Sequence, residues 1–251
     1  VAPDASGALP FLLDASLYQG KYYLYFGVVP AVLLYLPYTW LTGYGLPGNA
    51  ATLVLVLAGL FLTLRLYVLA RRQYFPSLGR TWDVCCILLL AFGSSTPILV
   101  FNGGIYEVAI AAGYLCVAGM LLGLYRAIHS SGRPLRWLAF ASFMAGLAVG
   151  CRPTYLVALP TLLGPVAFLF WSLRHGNVWL ARAPLVRMLG AVVIPAGVVG
   201  IALMAYNYGR FGDPFEIGLN YQVGSIAGTG HAFMQAAFIW PNLQWYYGSP
   251  P

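Results

Sequence analysis

The chain is written in long apolar runs separated by short polar ones. Apolar residues dominate Ala50–Ala70, Val84–Phe101, Ile105–Tyr125, Trp137–Cys151, Thr154–Leu173 and Met188–Tyr206. A helix needs about 20 residues to cross the hydrocarbon of a bilayer. Each run approaches that length, so the pattern predicts six membrane-spanning helices. A shorter run, Phe26–Leu41, is interrupted by Pro30 and Pro37. Proline removes an amide donor and crowds the preceding turn, so this piece is expected as a re-entrant or interfacial helix. Residues 1–49 and 207–251 are mixed and rich in Tyr, Gly and Pro. The expected organisation is an outer-face loop with an interfacial helix over 1–49, a six-span bundle over 50–206, and a further outer-face segment over 207–251. In fold class this is an all-α polytopic transmembrane helix bundle, with about six spans plus one re-entrant or interfacial helix. There is no internal repeat and no low-complexity tract.

Composition turns that pattern into an exclusion. Hydrophobic residues make up 61% of the chain and charged residues 8%, where a soluble domain carries about 25% charged residues. So few charges cannot keep a large surface hydrated, and a bilayer removes the demand. The net charge of +7 does not mark a nucleic-acid binder, because the cations are scattered between apolar runs and do not cluster on one wet face.

The same cations predict an orientation, since loops rich in Lys and Arg stay cytoplasmic. Arg71, Arg72 and Arg80 follow the first span, Arg126, Arg133 and Arg136 the third, and Arg174, Arg182 and Arg187 the fifth. These loops alternate, so all of them fall on one side. The opposite side receives Lys21, Arg152 and Arg210, and holds or borders Asp4, Asp14, Glu107, Asp213 and Glu216. Both ends are then expected to face outward. The sequence begins at Val1 with no Met and no cleavable signal, and reads as a piece of a longer chain. An odd number of spans upstream, most simply one, would complete the topology.

Small residues mark where membrane helices approach closely. Ser142, Gly146 and Gly150 share one face of the fourth span, and Gly119 and Gly123 one face of the third. Cys85, Cys86, Cys116 and Cys151 all sit in apolar stretches without metal or redox spacing, and are expected as packing residues. His129, His175 and His231 are too dispersed to hold a metal together. No phosphate-cradling glycine loop and no nucleophile elbow occurs.

Polar groups at the outer boundary are the candidates for chemistry, because a charge near bilayer depth costs about 2.5–3.5 kcal/mol on insertion scales. Arg152, in GLAVGCRPTYL, stands with Pro153 between two apolar runs. Its planar fork suits a lipid phosphate; alternatively it snorkels and caps the helix before it. Glu107 lies in the first turn of the third span, where it either caps the helix dipole or pairs with Arg152. Asp14 and Lys21 accompany Tyr18, Tyr22, Tyr23 and Tyr25. These tyrosines make either an aromatic platform for sugar rings, with Lys21 attracting a phosphate, or an interfacial belt. Arg210, Asp213 and Glu216 read as a second polar group or as an exposed ion cluster.

Three segments, KYYLYFGVVPAVLLYLPY, GLAVGCRPTYLVALP and NYGRFGDPFEIGLNYQ, together resemble the C-type, multi-span membrane glycosyltransferase superfamily. The branch is the one related to protein mannosyltransferases and aminoarabinose transferases. The resemblance implies an enzyme of the bacterial inner membrane that takes a sugar from a polyprenyl-phosphate donor. It would transfer that sugar to a glycan, lipid or protein acceptor on the outer face. It implies an acidic catalytic residue in the first outer loop, where Asp4 and Asp14 are the acids present; the family's own acid follows a first span that this sequence does not include. A carboxylate there takes the acceptor's proton while cations hold the leaving lipid phosphate. Lys21, Tyr22, Tyr23, Glu107, Arg152 and Arg210 are the expected substrate-binding residues. No cofactor is implied beyond an open question of a divalent metal. Two other classes stand beside this one: a transporter or flippase of a lipid-linked or polar solute, and a catalytically silent membrane subunit. Transporters place ionisable groups near the midplane, whereas here they crowd one boundary.

Overall fold

The computed structural model describes residues 15–93, 96–129, 133–174, 185–222 and 236–248; Asp4 and Asp14 lie outside them. The chain forms two compact units, Val1–Tyr25 with Glu216–Pro251, and Phe26–Phe215. These boundaries differ from those expected at 49/50 and 206/207. Residues 26–49 join the bundle because Val29 and Pro30 are buried in it and the Gly27 N–H donates to the Cys151 carbonyl at 3.0 Å. The two chain ends meet because Ser16 bridges Gln222.

In the larger unit, α1 (Val28–Pro30) runs through a π turn over Ala31–Tyr35 into α2 (Leu36–Thr42). Pro37 has no amide to donate and its ring crowds the carbonyl one turn earlier. A widened turn, closed by the Leu36 N–H on the Ala31 carbonyl, accommodates it. The stretch Val28–Thr42 is shorter than a span, as its prolines predict. Then follow α3 (Gly48–Tyr74), α4 (Arg80–Phe92), α5 (Thr96–Asn102), α6 (Ile105–His129) and α7 (Pro134–Cys151). A 3₁₀ helix over Pro153–Leu163 leads into α8 (Gly164–Arg174), and α9 covers Leu185–Phe211.

Five stretches are long and apolar enough to cross a membrane: Gly48–Tyr74, Arg80–Asn102, Ile105–His129, Pro134–Cys151 and Leu185–Phe211. The side chains they expose are apolar too. Leu88, Leu89, Phe92, Ile98 and Phe101 on α4 and α5, and Val193, Ile194, Val198 and Ile201 on α9, all face outward. Water does not tolerate such surfaces, and lipid does. The chain is an integral membrane protein of the all-α bundle type.

The fifth apolar run, Thr154–Leu173, is not one α-helix. Pro153 just before it and Pro160 and Pro165 within it remove amide donors, and the eleven residues Pro153–Leu163 wind as 3₁₀. At about 2.0 Å per 3₁₀ residue and 1.5 Å per α residue, the 3₁₀ helix and α8 of eleven residues each carry roughly 38 Å of rise.

The small-residue faces act as expected, with α7 in the middle. On one side it meets α6: a Cβ on Gly123 would stand 2.9 Å from that of Ala141, and one on Gly119 would stand 3.1 Å from Met144. On the other side it meets α9, where Gly146 faces Ala196 and Val199, and Gly150 faces Leu203. These pairs fix the directions: α7 runs antiparallel to α6 and parallel to α9. Ala141, Ala145 and Ala148 between the two contacts are buried.

Ser142 does more than permit approach. Its hydroxyl donates to the Val192 carbonyl and accepts from the Ala196 N–H at 3.0 Å. Those two groups are the i−4 and i ends of one helical bond in α9, beside Pro195. Proline opens a helix at its preceding turn, and the serine oxygen is inserted into the opening. Ser142→Ala is expected to lower stability by about 1 kcal/mol, the scale of an interhelical hydrogen bond in membranes. Unfolding titrations in mixed micelles check this. An unchanged midpoint would mean that α9 closes its own bond without the serine.

At the other end of the bundle Asp83 holds the α3–α4 turn. Arg71 donates Nε to Oδ1 at 3.1 Å and Nη2 to Oδ2 at 2.9 Å, and also reaches the Leu78 carbonyl at 2.8 Å. Tyr67 donates to the same carboxylate at 2.7 Å. This two-point contact is the strong form of ion pair, and among the described residues it is the one ion pair formed.

The smaller unit contains a hairpin of β1 (Ser16–Tyr18) and β2 (Lys21–Tyr23), a 3₁₀ turn over Leu219–Tyr221, and α10 (Ile239–Gly248) after a further 3₁₀ turn. Gln19 and Gly20, both at positive φ (48° and 75°), make the two-residue connection whose twist matches the right-handed twist of the paired strands. The buried Ser16 hydroxyl donates to the Gly218 carbonyl at 2.6 Å.

Candidate functional site

Arg152 sits where the bundle is interrupted. Pro153 cannot continue the ladder of α7, and a residue before proline is driven toward extended geometry. Arg152 adopts φ −150°, ψ 133°, and α7 stops at Cys151. The register places this stop well inside the bundle. Gly113, Gly119 and Gly123 of α6 face Tyr155, Met144 and Ala141 in turn, so Cys151 comes level with the stretch of α6 between Gly113 and Gly119. That is eight or more residues below Ile105, or at least 12 Å at about 1.5 Å per residue. On the other flank Gly150 is level with Leu203, and α9 continues to Phe211. The end of α7 is thus overtopped on both sides.

From this recessed position the Arg152 guanidinium lies 5.5 Å from the ring centre of Phe26 and 5.8 Å from that of Tyr106. The two rings stack with centroids 4.9 Å apart at 29°. An arginine over aromatic faces gains about 0.5–2 kcal/mol and keeps its hydrogen-bond donors available for another partner. Arg152 is half-buried. Among the described residues it makes no ion pair, so the expected Glu107–Arg152 pairing does not form. Glu107 instead folds back over the start of α6, close enough that a Cβ on Gly104 would meet its Oε2 at 2.5 Å. A carboxylate there complements the helix dipole.

Arg210 ends α9 in a similar aromatic setting, 4.1 Å from the Tyr206 ring centre and 4.7 Å from that of Phe211. Its Nη2 donates to Asn207 Oδ1 at 2.7 Å, while Asn207 Nδ2 donates to the Pro214 carbonyl at 3.3 Å. Asp213 and Glu216, expected in an ion cluster with Arg210, both accept from donors in local turns. Asp213 Oδ1 accepts from the Phe215 N–H at 2.8 Å, as aspartates in such turns do. Glu216 accepts from the Gly218 N–H at 2.5 Å and from the Asn220 amide.

Lys21, Tyr22 and Tyr23 belong to the smaller unit, and strand register sorts them. Tyr18 pairs with Lys21 and Ser16 with Tyr23, whereas Leu17 pairs with Tyr22. Paired residues share a face and neighbours alternate, so Tyr18, Lys21 and Tyr23 project from one face and Tyr22 from the other. Tyr221 adds a ring 4.7 Å from that of Tyr18. A platform on the Lys21 face therefore uses Tyr18, Tyr23 and Tyr221, and excludes Tyr22.

The sequence reasoning missed Phe26 and Tyr106 as the cradle of Arg152. The signal was faint: each is an aromatic residue beside a chain break, Phe26 before Gly27 at φ 79° and Tyr106 in the first turn of α6. No group of three or more His, Cys, Asp or Glu is positioned for a metal among the described residues. No family model, no curated protein and no solved structure matches the chain.

Proposed function

We propose that the chain is a membrane glycosyltransferase that takes its sugar from a polyprenyl-phosphate donor. One observation carries the proposal: Arg152 stands at the recessed end of α7 with its guanidinium stacked on Phe26 and Tyr106 and no carboxylate opposite it among the described residues. A charge at that depth is costly, and a lipid phosphate is the anion that reaches it from the bilayer. The three segments behind the family resemblance supply Phe26, Arg152 and Arg210 at this end of the molecule's larger unit. The family resemblance puts the catalytic carboxylate of this scheme in the first outer loop, whose acids are Asp14 and Asp4. It takes the acceptor's proton as the phosphate leaves, and the fixed cation offsets the charge that develops.

Purified chain in lipid nanodiscs, incubated with a labelled polyprenyl monophosphate, tests the proposal. Saturable binding that exceeds that of a neutral polyprenol is expected. Equal retention of the alcohol and the phosphate would remove the donor from the scheme. A transporter or flippase is the second reading, favoured by the π turn at Ala31–Tyr35 and the 3₁₀ stretch at Pro153–Leu163, since transporters build sites from interrupted helices. In that case labelled lipid is moved between leaflets and its sugar is never lost.

The scheme requires the Arg152 end to face outward, in the plasma membrane of a bacterium, with the Arg71–Asp83 end cytoplasmic. Single cysteines introduced at Ser77 or Arg133 should react with an impermeant maleimide only after the membrane is opened. Labelling of intact cells at either position would invert the bundle and put Arg152 on the wrong side for a polyprenyl-linked donor.

A further inference from the structure

One cation has no place in the loop pattern. Arg65 lies inside the apolar run Ala50–Ala70, nine residues before α3 ends at Tyr74, or about 13 Å at about 1.5 Å per residue. It is exposed, as are Phe61 one turn before it and Arg72 two turns after it, and residues so spaced share a helix face. Tyr67 and Arg71, which hold Asp83, point elsewhere, about 120–160° round the helix from Arg65 at about 100° per residue. Gly119 of α6 locates the seam that the Arg65 face borders. A Cβ there would stand 3.1 Å from Met144 of α7 and 3.5 Å from Leu62 of α3, so the three helices meet at this residue. Arg126 follows Gly119 by two turns on the same face of α6, and its guanidinium lies 5.1 Å from the ring centre of Trp137 on α7. Arg65 is the next turn of α3 after Leu62. The Tyr125 hydroxyl donates to the Leu69 carbonyl at 3.1 Å, which sets Arg126 at a height between Arg65 and Arg72. Three arginines thus border one seam within about 10 Å of helix rise. Among the described residues none of them forms an ion pair, and the Nε of half-buried Arg126 is enclosed without a hydrogen-bond partner. Asp83 is committed to Arg71, and the next acids along the chain, Glu107 at the start of α6 and Asp213 after α9, belong to the other end of the bundle.

We propose that this seam binds an anionic phospholipid of the leaflet at the Asp83 end, its phosphodiester held by Arg126 between Arg65 and Arg72. A guanidinium fork takes two phosphate oxygens at once. A cation so far inside a span is costly, and the anion that reaches it is one that carries its own hydrocarbon. Three cations with no facing acid select a lipid whose phosphate is uncompensated, since a choline-type headgroup brings a cation of its own. The acyl chains rise past exposed Phe61 and past Phe140, whose ring lies 6.0 Å from that of Trp137. The site stands at the opposite end of the bundle from Arg152, and the inference holds whether or not the chain transfers sugars.

The test is native mass spectrometry of the full chain in micelles that contain equal amounts of phosphatidylglycerol and phosphatidylcholine. Phosphatidylglycerol should be retained in preference. Arg126→Ala and Arg65→Ala should each weaken its retention about tenfold, the scale of one charge-assisted hydrogen bond. Arg80→Ala removes the same charge from the start of α4, outside the seam, and should leave retention unchanged. Thermal midpoints show which variants fold, and because Arg65 is exposed, its substitution tests the site even if Arg126→Ala does not fold. An equal loss in Arg80→Ala would reduce the effect to bulk charge and overturn the proposal. So would equal retention of the two lipids. Displacement of phosphatidylglycerol by soluble glycerol phosphate would overturn it too, by making the ligand a water-borne phosphate.

Discussion

Leucine at position 123 will force α6 away from α7 and cost the bundle about 3 kcal/mol or more, at or beyond the upper end of overpacking penalties. The reason lies in what surrounds Gly123. A Cβ there would stand 2.9 Å from the Ala141 Cβ, 3.0 Å from the Ala141 amide nitrogen and 3.0 Å from the Trp137 carbonyl oxygen. Two of these three atoms are backbone, which no rotamer change can move aside. Even alanine is strained, and leucine adds three carbons with nowhere to go. Gly197 and Gly200 on α9 provide the control, since a Cβ at either meets nothing within 4 Å. There alanine is expected to be neutral or to stabilise by up to about 1 kcal/mol, because glycine is the poorer helix former. Thermal unfolding in one detergent, across Gly123→Ala, Gly123→Leu, Gly197→Ala and Gly200→Ala, reads both signs. Similar midpoints for Gly123→Leu and Gly197→Ala would mean that α6 and α7 are not in backbone contact.

The same contrast explains what a sequence of this kind reveals. Spans were legible because lipid imposes a length and a composition on them, and the helix ends fall within a few residues of the apolar runs. The interfaces on α6 and α7 were legible because close approach leaves one solution, a small residue every third or fourth position. The break at Arg152-Pro153 was legible because proline acts locally. What failed was whatever depends on register between distant segments. The Arg152 cradle needs Phe26 and Tyr106 to stack, and that is not encoded in spacing along the chain. The local turns at Asp213 and Glu216 were equally hidden, because amide donors two residues on from each acid accompany any Asp or Glu in a loop and do not stand out in the sequence. Pro153 before the fifth run and Pro160 and Pro165 inside it stand in the sequence, but their consequence, a 3₁₀ winding in place of an α-helix, is not legible from the apolar pattern.

Arg152 separates a ligand-binding cation from an ordinary membrane anchor, and the substitutions that do so are now specific. Arg152→Ala removes a charge-assisted bond to the donor phosphate, worth about 1.5–3 kcal/mol, so affinity for a polyprenyl monophosphate should fall roughly 10- to 150-fold. Arg152→Lys keeps the charge and loses the fork, and a lysine ammonium cannot lie flat against the Phe26 and Tyr106 rings as guanidinium does. It should therefore also weaken binding, though less. Tyr106→Leu tests the cradle itself. It leaves Arg152 in place and removes one of its two aromatic faces, so the cation is held less firmly and affinity should drop with no change in net charge. Folding should survive all three. Arg152 is half-buried, and the contact that docks α1 here runs from the Gly27 amide to the Cys151 carbonyl, using neither altered side chain. A snorkelling arginine predicts another ranking. Lysine reaches the interface as well as arginine does, so Arg152→Lys and Tyr106→Leu would both bind lipid phosphate like the unsubstituted chain. Binding curves for the three variants in nanodiscs, with thermal midpoints as the folding control, therefore decide the role of Arg152 without any assay of sugar transfer.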